Sequence, residues 1–542
     1  MSQFNKIFLP ILLVIASLQF LFVTSQTASA NSVHILNGQI VETAEPSPDS
    51  DYKLLEYTAE GNSRLSDYAN GYRIDFPPDM MVDASLSQVL VSMFNNDTVI
   101  EVYYDNFNGN INTRNVTDYI AYSNRFLLNN NIDHHKLSDQ YIQINGYRAH
   151  VLEWERAKLS TVPNDKNHYL SAEIIKNSQE VYTIFIKSTQ NTKNFLPVIK
   201  SFDIIPIQGE AKINTRFVKP ERTVLNDETL NFYQEYFSPS SPLKWGIYEF
   251  SISDNYNYLN NLENTLGGKF DFVLWYKSMS TPFPRDIITA AYNQNKYMEL
   301  TLHTYLADSD NKSIMYSILN GDYDDFFINY AQELKAFGHP VLFRLNNEMN
   351  GDWCNWSSFH YSKDAEIYKL TWIHIYNIFQ NQQVNNVLWI WNPNDGSFPN
   401  FKWNHSLAYF PGDEYVDIIG LTGYNTGTYF QDEYWREFTQ IYDPLYSNYN
   451  SWFDYPMMIT EFACNSVGGD KSKWIADMSR NIANYPNIKV AVWFNGIDYD
   501  ANRNPARIYR LDETPQTAAE FKKIFQNSNS DNYVPDLSLV RP

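Results

Sequence analysis

The chain has 542 residues, with 41 lysines and arginines against 62 aspartates and glutamates, and a formal net charge of −21. So acidic a chain does not bind nucleic acid through a basic surface, and a neutral substrate is expected instead. The length predicts two or more domains, and a content of 44% hydrophobic and 16% aromatic residues is sufficient for their cores. Aromatic faces also stack on sugar rings, although most of these side chains are expected in cores.

Residues 1–30 have the pattern of a secretory signal peptide. Lys6 precedes an apolar run from Ile7 to Val23, and Ala28-Ser29-Ala30 is typical of a cleavage site. An uncleaved membrane anchor is the alternative, but the run is short for a span. The sequence therefore predicts a secreted, extracellular protein without a transmembrane span after cleavage, and association with the cell envelope stays open.

Residues 31–51 are polar and rich in proline and serine, which predicts a linker. Residues 52–207 show clustered short strands and two helices, which predicts an N-terminal α+β accessory domain. Asn145-Gly146 is a strong signal for a two-residue hairpin turn within it. The order of its elements resembles a PsbP/Mog1-like sandwich. The sequence assigns this domain neither a chemistry nor a partner.

A connector at residues 208–240 leads into a regular alternation of strands and helices over residues 241–527, and residues 528–542 form a C-terminal tail. Eight strands are predicted, at residues 245–250, 270–276, 298–305, 341–345, 387–391, 416–422, 457–462 and 489–494. Eight β-then-α units predict an α/β fold of the (β/α)8 TIM barrel type. Its active site is expected at the carboxyl ends of the strands.

Polar and aromatic residues stand where these strands end. The third strand ends at His303, the fourth is followed by Asn347-Glu348, and Tyr424, Glu461 and Trp493 mark the ends of the sixth, seventh and eighth. A single glutamate at a strand end is usually solvated or ion-paired, but the joint pattern on one barrel mouth indicates a site. Two carboxylates about 5 Å apart are what a retaining glycosidase needs.

The motifs around these residues resemble one family of barrel enzymes. The segment PVLFRLNNEMNGDWCNW, residues 340–356, resembles the acid/base segment of glycoside hydrolase family 26, R-x-x-H-E-M-N-G-x-W. VLWIWNP, YFPGDEYVDIIGLTGYN, ITEFACNSVGGDKSKWI and KVAVWFN resemble the later strands of that family in the same order. The resemblance covers about residues 243–525 and none of the N-terminal domain.

The resemblance implies a role for each residue at the mouth. Glu348 is the general acid/base and Glu461 the nucleophile. Tyr424 donates a hydrogen bond to the nucleophile, and Trp493 forms the floor under the sugar. Trp353 and His303 line the site on the leaving-group side. Arg344 is a further donor that would keep Glu461 ionised. This chemistry uses two carboxylates and implies neither a metal nor a cofactor.

The family usually has histidine where this chain has Asn347. In the wider clan of barrel glycosidases an asparagine at that place binds the sugar 2-hydroxyl, so this departure weakens the inference about which sugar is cleaved. The resemblance implies an endo-glycosidase that cleaves β-linked polysaccharide by double displacement, with β-1,4-mannan favoured. The alternatives are a β-1,3-1,4-glucanase, a β-1,3-xylanase, an exopolysaccharide-processing glycosidase and a catalytically silent polysaccharide-binding barrel, and the intact pair of glutamates favours an enzyme.

Cys354 and Cys464 are the only cysteines. They follow the two glutamates closely, so a disulfide between their loops and two separate core thiols both stay open. Further candidate sugar platforms are Trp275, Tyr276, Trp356, Trp391 and Trp403.

Overall fold

The computed structural model describes residues 32–109, 115–221, 224–307 and 314–528. The predicted signal peptide, residues 1–30, lies outside the described residues, and so does the predicted tail apart from Ser528. Within these four ranges, no helix is both long and apolar enough to cross a membrane.

The N-terminal region is built mainly from antiparallel strands. In chain order they are β1 (Val33–Leu36), β2 (Gln39–Val41), β3 (Tyr52–Tyr57), β4 (Ser63–Asp67), β5 (Tyr72–Phe76), β6 (Met81–Asp83), β7 (Val91–Phe94), β8 (Thr98–Asn106), β9 (His135–Ile144), β10 (Tyr147–Glu155), β11 (His168–Ile175), β12 (Glu180–Ser188) and β13 (Asp203–Ile204). Two helices accompany them, α1 (Val116–Asn124) and α2 (Leu196–Ser201).

These strands form two sheets that share one apolar core. The six-stranded sheet has the order β13-β5-β4-β3-β1-β2, and the seven-stranded sheet has the order β6-β7-β8-β12-β11-β10-β9. Ile74 of the first sheet, Val102 and Ile184 of the second and Ile199 of α2 meet between them. The prediction of an additional N-terminal α+β domain is confirmed, and this domain is rich in β-strands. The resemblance to a PsbP/Mog1-like sandwich stays a prediction.

The prediction of a linker at residues 31–51 is wrong in part. β1 and β2 lie inside it, and β1 pairs with β3 in the register Val33↔Leu55. Asn37 (φ 48°) and Gly38 (φ 77°) form the two-residue turn between β1 and β2. Asn-Gly is a hairpin signal, whereas the prediction of a linker rests on the proline- and serine-rich composition alone.

The predicted connector at residues 208–240 is also structured. It contains β14 (Phe217–Val218) and α3 (Asp227–Phe237). α3 begins at an N-cap, because the Asn226 side chain accepts a hydrogen bond from the Thr229 amide at 2.8 Å. Phe232 and Tyr236 of this helix pack on Phe272 at the start of a barrel strand, so the connector closes the bottom of the barrel.

Eight parallel strands close into a barrel, in the order β15-β16-β17-β18-β19-β20-β22-β23. The strands and helices of this region are β15 (Lys244–Tyr248), α4 (Asn257–Leu266), β16 (Phe272–Ser278), α5 (Arg285–Asn293), β17 (Tyr297–His303), α6 (Met315–Ile318), α7 (Asp324–Phe337), β18 (Val341–Leu345), α8 (Ala365–Asn381), β19 (Val387–Trp391), β20 (Ile418–Thr422), α9 (Phe438–Trp452), β21 (Phe453–Asp454), β22 (Met457–Phe462), α10 (Lys471–Asn481), β23 (Ile488–Phe494), β24 (Ile497–Tyr499), β25 (Pro505–Ile508) and α11 (Pro515–Ser528). The predicted (β/α)8 TIM barrel is confirmed.

Side chains alternate between two layers along each barrel strand. Leu342, Ile390 and Met458 fill the barrel interior, whereas residues next to them, such as Phe343 and Trp389, pack under the helices. Barrel strands are buried on both faces, which explains why their sequences are almost continuously apolar. The last inward positions of the strands form the mouth.

The seven-stranded sheet also packs against the barrel. Trp154 and Phe185 on its second face share a core with Phe359, which follows β18, and with Phe401 and Trp403, which follow β19. The N-terminal domain therefore rests on loops at the carboxyl ends of the barrel strands.

Candidate active site

Glu348 is placed by a sharp change of backbone direction after β18. Asn346 and Glu348 both have a positive φ, 55° and 52°. A left-handed backbone at residues other than glycine costs about 1 to 3 kcal/mol each and persists only where the surroundings hold it. The Asn346 side chain accepts a hydrogen bond from the Thr304 amide at 2.8 Å, and the Glu348 amide donates to the Asn392 carbonyl at 2.7 Å. These contacts fix the direction of the Glu348 side chain.

Glu461 is placed by an irregularity in β22. The pairing with β20 runs Leu421↔Ile459 and then Thr422↔Glu461, so β22 carries one extra residue at this point. A bulge of this kind re-aims a side chain, and bulges are common beside active sites. Glu461 consequently faces the mouth although Thr460 before it also faces the barrel interior, where its hydroxyl donates to the carbonyl of Leu421 at 3.1 Å.

Asn347 joins the two carboxylates. Its amide nitrogen donates to Oε2 of Glu348 at 3.3 Å and to Oε1 of Glu461 at 3.2 Å. Two sides of this length place those oxygens at most about 6.5 Å apart. Inverting glycosidases need a separation of roughly 6.5 to 9.5 Å to hold a water molecule between the carboxyl groups. The separation here does not exceed the minimum of that range.

The surroundings of Glu461 favour its ionised form. Nη1 of Arg344 donates to Oε1 at 2.7 Å, the hydroxyl of Tyr424 donates to Oε2 at 2.8 Å, and the hydroxyl of Tyr276 donates to the same oxygen. Burial alone would raise the pKa of Glu461, but the Arg344 charge and the two tyrosine hydroxyls outweigh burial and hold the pKa below its usual value. Glu461 is therefore a buried carboxylate that stays charged.

The surroundings of Glu348 favour its protonated form. Burial raises its pKa first, and the negative charge of Glu461 raises it further, against the opposing effect of Arg344 and of a hydrogen bond to the Trp353 side chain. The pKa of Glu348 consequently lies well above that of an ordinary glutamate. Two neighbouring carboxyl groups thus have pKa values shifted in opposite directions.

His303 fixes the orientation of the Asn347 amide. Its ring stacks on Trp356 with centroids 4.7 Å apart, and Nε2 lies 2.8 Å from Oδ1 of Asn347. Burial, aided by the Arg344 charge, lowers the pKa of His303 to about 4, so the ring is neutral at neutral pH. Because an amide oxygen only accepts, Nε2 carries the proton, and the Asn347 NH2 group must face the carboxylates.

Trp353 lies at the rim of the mouth. Its side chain is 52% exposed and lies against the exposed ring of Phe398, with centroids 5.3 Å apart. An exposed indole at the rim of the mouth is suited to stacking on a sugar ring.

The expectation that Trp493 forms the floor of the site is wrong. Its side chain is 0% exposed, its Nε1 donates to the Tyr509 carbonyl at 2.8 Å, and its ring packs on Trp474 and Phe521 in the helix layer. The two-residue alternation of β23 explains this placement, since Val490 and Val492 already occupy the inward positions. The next inward residue is Phe494.

Sequence reasoning missed three residues of this site. Tyr276 contacts the candidate nucleophile directly, whereas it was expected only as a platform; counting inward positions along β16 would have placed it. Asn392 accepts a hydrogen bond from Arg344 at 2.8 Å. Glu299 lies under the same guanidinium at 3.2 Å, and burial raises its pKa to about 8 against the opposing Arg344 charge.

Both cysteines are buried free thiols, so the alternative of a disulfide is wrong. Cys354 lies 3.7 Å from the Asn347 carbonyl, whereas Cys464 accepts a hydrogen bond from the Asn425 side chain at 3.3 Å. In the part of the chain that the structure describes, no three histidine, cysteine, aspartate or glutamate side chains are grouped to hold a metal ion.

Fold and site together define a (β/α)8 barrel with a pair of buried glutamates at the carboxyl ends of strands β18 and β22. Residues 293–484 match the sequence model of Glycosyl hydrolase family 26. This match lies within the barrel and agrees with the family that the motifs indicate.

Curated relatives align with part of this chain. Endoglucanase H of Acetivibrio thermocellus is 29% identical over 271 residues, 49% of this chain and 28% of that protein. A mannan endo-1,4-beta-mannosidase of Bacillus subtilis strain 168 is 37% identical over 108 residues, 19% of this chain and 27% of that protein. The chain thus spans less than a third of the length of these curated relatives.

Solved structures also align with part of this chain at low sequence identity. A GH26 beta-mannanase from Bacteroides ovatus is 17% identical, with 55% of this chain and 93% of that chain covered and a TM-score of 0.43. The Bacillus subtilis mannanase man26 is 18% identical, with 52% of this chain and 89% of that chain covered and a TM-score of 0.38.

Proposed function

We propose that this chain is a retaining endo-glycoside hydrolase that cleaves β-linked polysaccharide, with β-1,4-mannan as its substrate. The observation that carries the proposal is the pair Glu348 and Glu461. Two buried carboxyl groups within about 6.5 Å, one kept protonated and one kept charged, are the acid and the nucleophile of a double displacement.

The first displacement breaks the glycosidic bond. A carboxylate oxygen of Glu461 attacks the anomeric carbon while Glu348 gives its proton to the leaving oxygen, so that a covalent glycosyl ester and a free sugar hydroxyl form. Esterification removes the negative charge of Glu461, which lowers the pKa of Glu348. Glu348 then takes a proton from water, and the hydroxyl attacks the anomeric carbon and releases Glu461.

The choice of mannan as the substrate draws on the names of the relatives. Several relatives are named mannan endo-1,4-beta-mannosidases, which favours mannan. A β-1,3-1,4-glucanase is the second candidate, because the match to Endoglucanase H extends over 271 residues and because Asn347 stands where the family has histidine. Product profiles on galactomannan, glucomannan, lichenan and β-1,3-xylan, measured side by side, separate these candidates.

Replacement of each glutamate tests the chemistry. Glu461→Ala should abolish the release of reducing sugar, and azide should restore turnover with a glycosyl azide of inverted configuration, because azide then takes the place of the carboxylate. Azide added to Glu348→Ala should give a glycosyl azide of retained configuration instead.

The matched control is Glu414→Ala. Glu414 is exposed and precedes β20, at the opposite end of the barrel from the mouth, so its loss should leave turnover unchanged. Undiminished hydrolysis by Glu461→Ala would refute the assignment of the nucleophile. Glycan binding without hydrolysis by the unaltered protein would indicate a silent polysaccharide-binding barrel.

We further propose that the protein is secreted after cleavage behind Ala30. The charged residue, apolar run and small-residue pattern of residues 6–30 support this proposal. Intact-mass measurement of the protein from culture medium should give a chain that starts at Asn31, and retention of the full chain in the membrane fraction would contradict it.

A further inference from the structure

The segment that carries Glu348 is a continuous series of tight turns. We define residues 346–364, between β18 and α8, as the acid/base loop. Its backbone hydrogen bonds run from amide to carbonyl as Gly351 to Glu348 at 2.9 Å, Cys354 to Gly351 at 3.1 Å, Ser357 to Cys354 at 3.0 Å, His360 to Ser357 at 3.0 Å and Asp364 to Tyr361 at 2.8 Å. These hydrogen bonds connect Glu348 with the far end of the loop, so contacts at that end bear on the position of Glu348.

The far end of the acid/base loop is held by the N-terminal domain. Nζ of Lys363 lies 3.0 Å from Glu173 of β11 and donates to the Asn124 side chain at 2.8 Å. Nζ of Lys187 of β12 lies 2.8 Å from Asp364. All of these side chains are buried. Two ion pairs of opposite polarity therefore cross the boundary between the domains.

The middle of the loop is held by α1. The Tyr122 hydroxyl donates to the carboxylate of Asp352, and its ring stacks on Phe359 with centroids 4.9 Å apart. Asp352 lies in the same series of turns as Glu348, directly after Gly351, whose amide donates to the Glu348 carbonyl at 2.9 Å. The contact of Tyr122 with Asp352 thus links the N-terminal domain to the turn that carries Glu348.

Buried ion pairs of this kind are expensive to desolvate, and hydrophobic contacts of similar volume often give equal stability. Unlike apolar contacts, these ion pairs fix the distance and direction between the groups that they join. Ser362 and Lys363 have positive φ values of 58° and 57°, so the backbone at the domain boundary is held in a conformation that these residues do not adopt by preference.

We propose that the N-terminal domain is a positioning part of the catalytic unit, in which Tyr122, Glu173 and Lys187 hold the acid/base loop so that Glu348 can deliver its proton. The inference rests on the proposed function. It assigns to the domain a direct effect on proton transfer to the leaving group, distinct from any role in targeting or binding.

Leaving-group dependence tests the proposal in the full-length chain. The substrates are a β-glycan that the wild type cleaves and the 2,4-dinitrophenyl glycoside of the same sugar, whose leaving group departs without protonation. General acid catalysis contributes roughly 100-fold to 10,000-fold, so a misplaced Glu348 in Lys363→Met should lower kcat on the glycan by roughly tenfold or more. The first displacement on the dinitrophenyl glycoside should stay within about twofold of wild type.

Tyr122→Phe removes one hydroxyl without changing the shape of the side chain and should show a smaller loss of the same kind. The matched control is Lys53→Met, which also removes a buried lysine from an ion pair, 3.2 Å from Asp67, but lies in the six-stranded sheet. The control should lose stability without any dependence on the leaving group. Equal losses on both substrates in Lys363→Met and Tyr122→Phe would overturn the proposal.

Hydrogen exchange separates this proposal from the proposed function. If the wild type cleaves no glycan, the proposed function fails. The positioning role is then decided by amide exchange in residues 348–364, which should be faster in Lys363→Met than in wild type and unchanged in Lys53→Met. Unchanged exchange in Lys363→Met would exclude the positioning role whatever the activity.

Discussion

The guanidinium of Arg344 contacts the carboxylate of Glu461 at 2.7 Å, and both side chains are buried. The same guanidinium lies 3.2 Å from Glu299. The single positive charge of Arg344 cannot keep both buried carboxyl groups ionised to the same extent. The raised pKa of Glu299 and the lowered pKa of Glu461 show that the charge serves Glu461.

The donors around Glu461 should set the acidic side of the pH profile. Tyr424→Phe removes a hydroxyl that favours the ionised carboxylate, so the pKa of Glu461 should rise. On acidification, the decrease in kcat/KM should then begin at a higher pH than in wild type. Tyr276→Phe should act in the same direction. The measurement is the pH dependence of kcat/KM, and the control is Tyr330→Phe, a buried tyrosine of α7 away from the mouth. Coincident acidic limbs would contradict the prediction.

Glu348 should make the protein less stable as the pH rises. A raised pKa means that the folded state binds the proton more tightly than the unfolded chain does. The free energy of unfolding therefore falls as the pH rises from about 4.3, the pKa of glutamate in the unfolded chain, to the raised pKa of the folded state. Glu348→Gln removes this dependence. As the pH rises through this window, the free energy of unfolding of Glu348→Gln should increase relative to that of wild type by up to about 1.4 kcal/mol per pH unit.

Chemical unfolding at pH 5 and pH 7 measures this difference. Glu414→Gln, an exposed glutamate before β20, serves as control and should follow wild type. A constant difference between Glu348→Gln and wild type at the two pH values would contradict a raised pKa.

Asn347 should be important for turnover and dispensable for folding. Asn347→Ala removes the hydrogen bonds to Glu348 and Glu461. A hydrogen bond to a charged group contributes about 1.5 to 3 kcal/mol, so loss of the bond to the ionised Glu461 should lower kcat/KM by roughly 10-fold to 100-fold. Steady-state kinetics on the preferred glycan measure the loss. The control is Asn257→Ala, at the exposed start of α4. Unchanged kcat/KM would show that the bridge has no role.

Trp493 and Phe494 should behave oppositely. Trp493→Phe truncates a ring in the helix layer and should cost about 1 to 3 kcal/mol of stability without changing KM. Phe494 is half-buried, and its ring stacks on Tyr248 with centroids 4.6 Å apart, so Phe494→Ala should raise KM. Thermal unfolding and substrate titration distinguish the two effects. A raised KM in Trp493→Phe would restore the role expected from the sequence.

Much of the barrel could be predicted because its strands are short apolar runs between helices with clear periodicity. Three strands were predicted to the residue, including β18 and β22. The rule that site residues follow strand ends identified Glu348 and Glu461, and the structure brings them together.

The same rule failed for Trp493, because a position at a strand end says nothing about which layer the side chain faces. The extra residue in β22 was invisible for a similar reason, since the run Met457–Phe462 is apolar whether or not it is bulged. The contact of Lys363 with Glu173 joins residues 190 apart in sequence, and no local pattern marks either of them as a partner of the other.

The bulge in β22 sets the height of Glu461, the proposed nucleophile, along the barrel axis. One strand residue spans about 3.3 Å, so removal of Thr460 would draw the Glu461 carboxylate down by about that distance, away from Glu348. A gap widened by one such step reaches the separation at which a water molecule fits between two carboxylates. The stereochemical course expected of this barrel therefore depends on a single inserted residue in one strand.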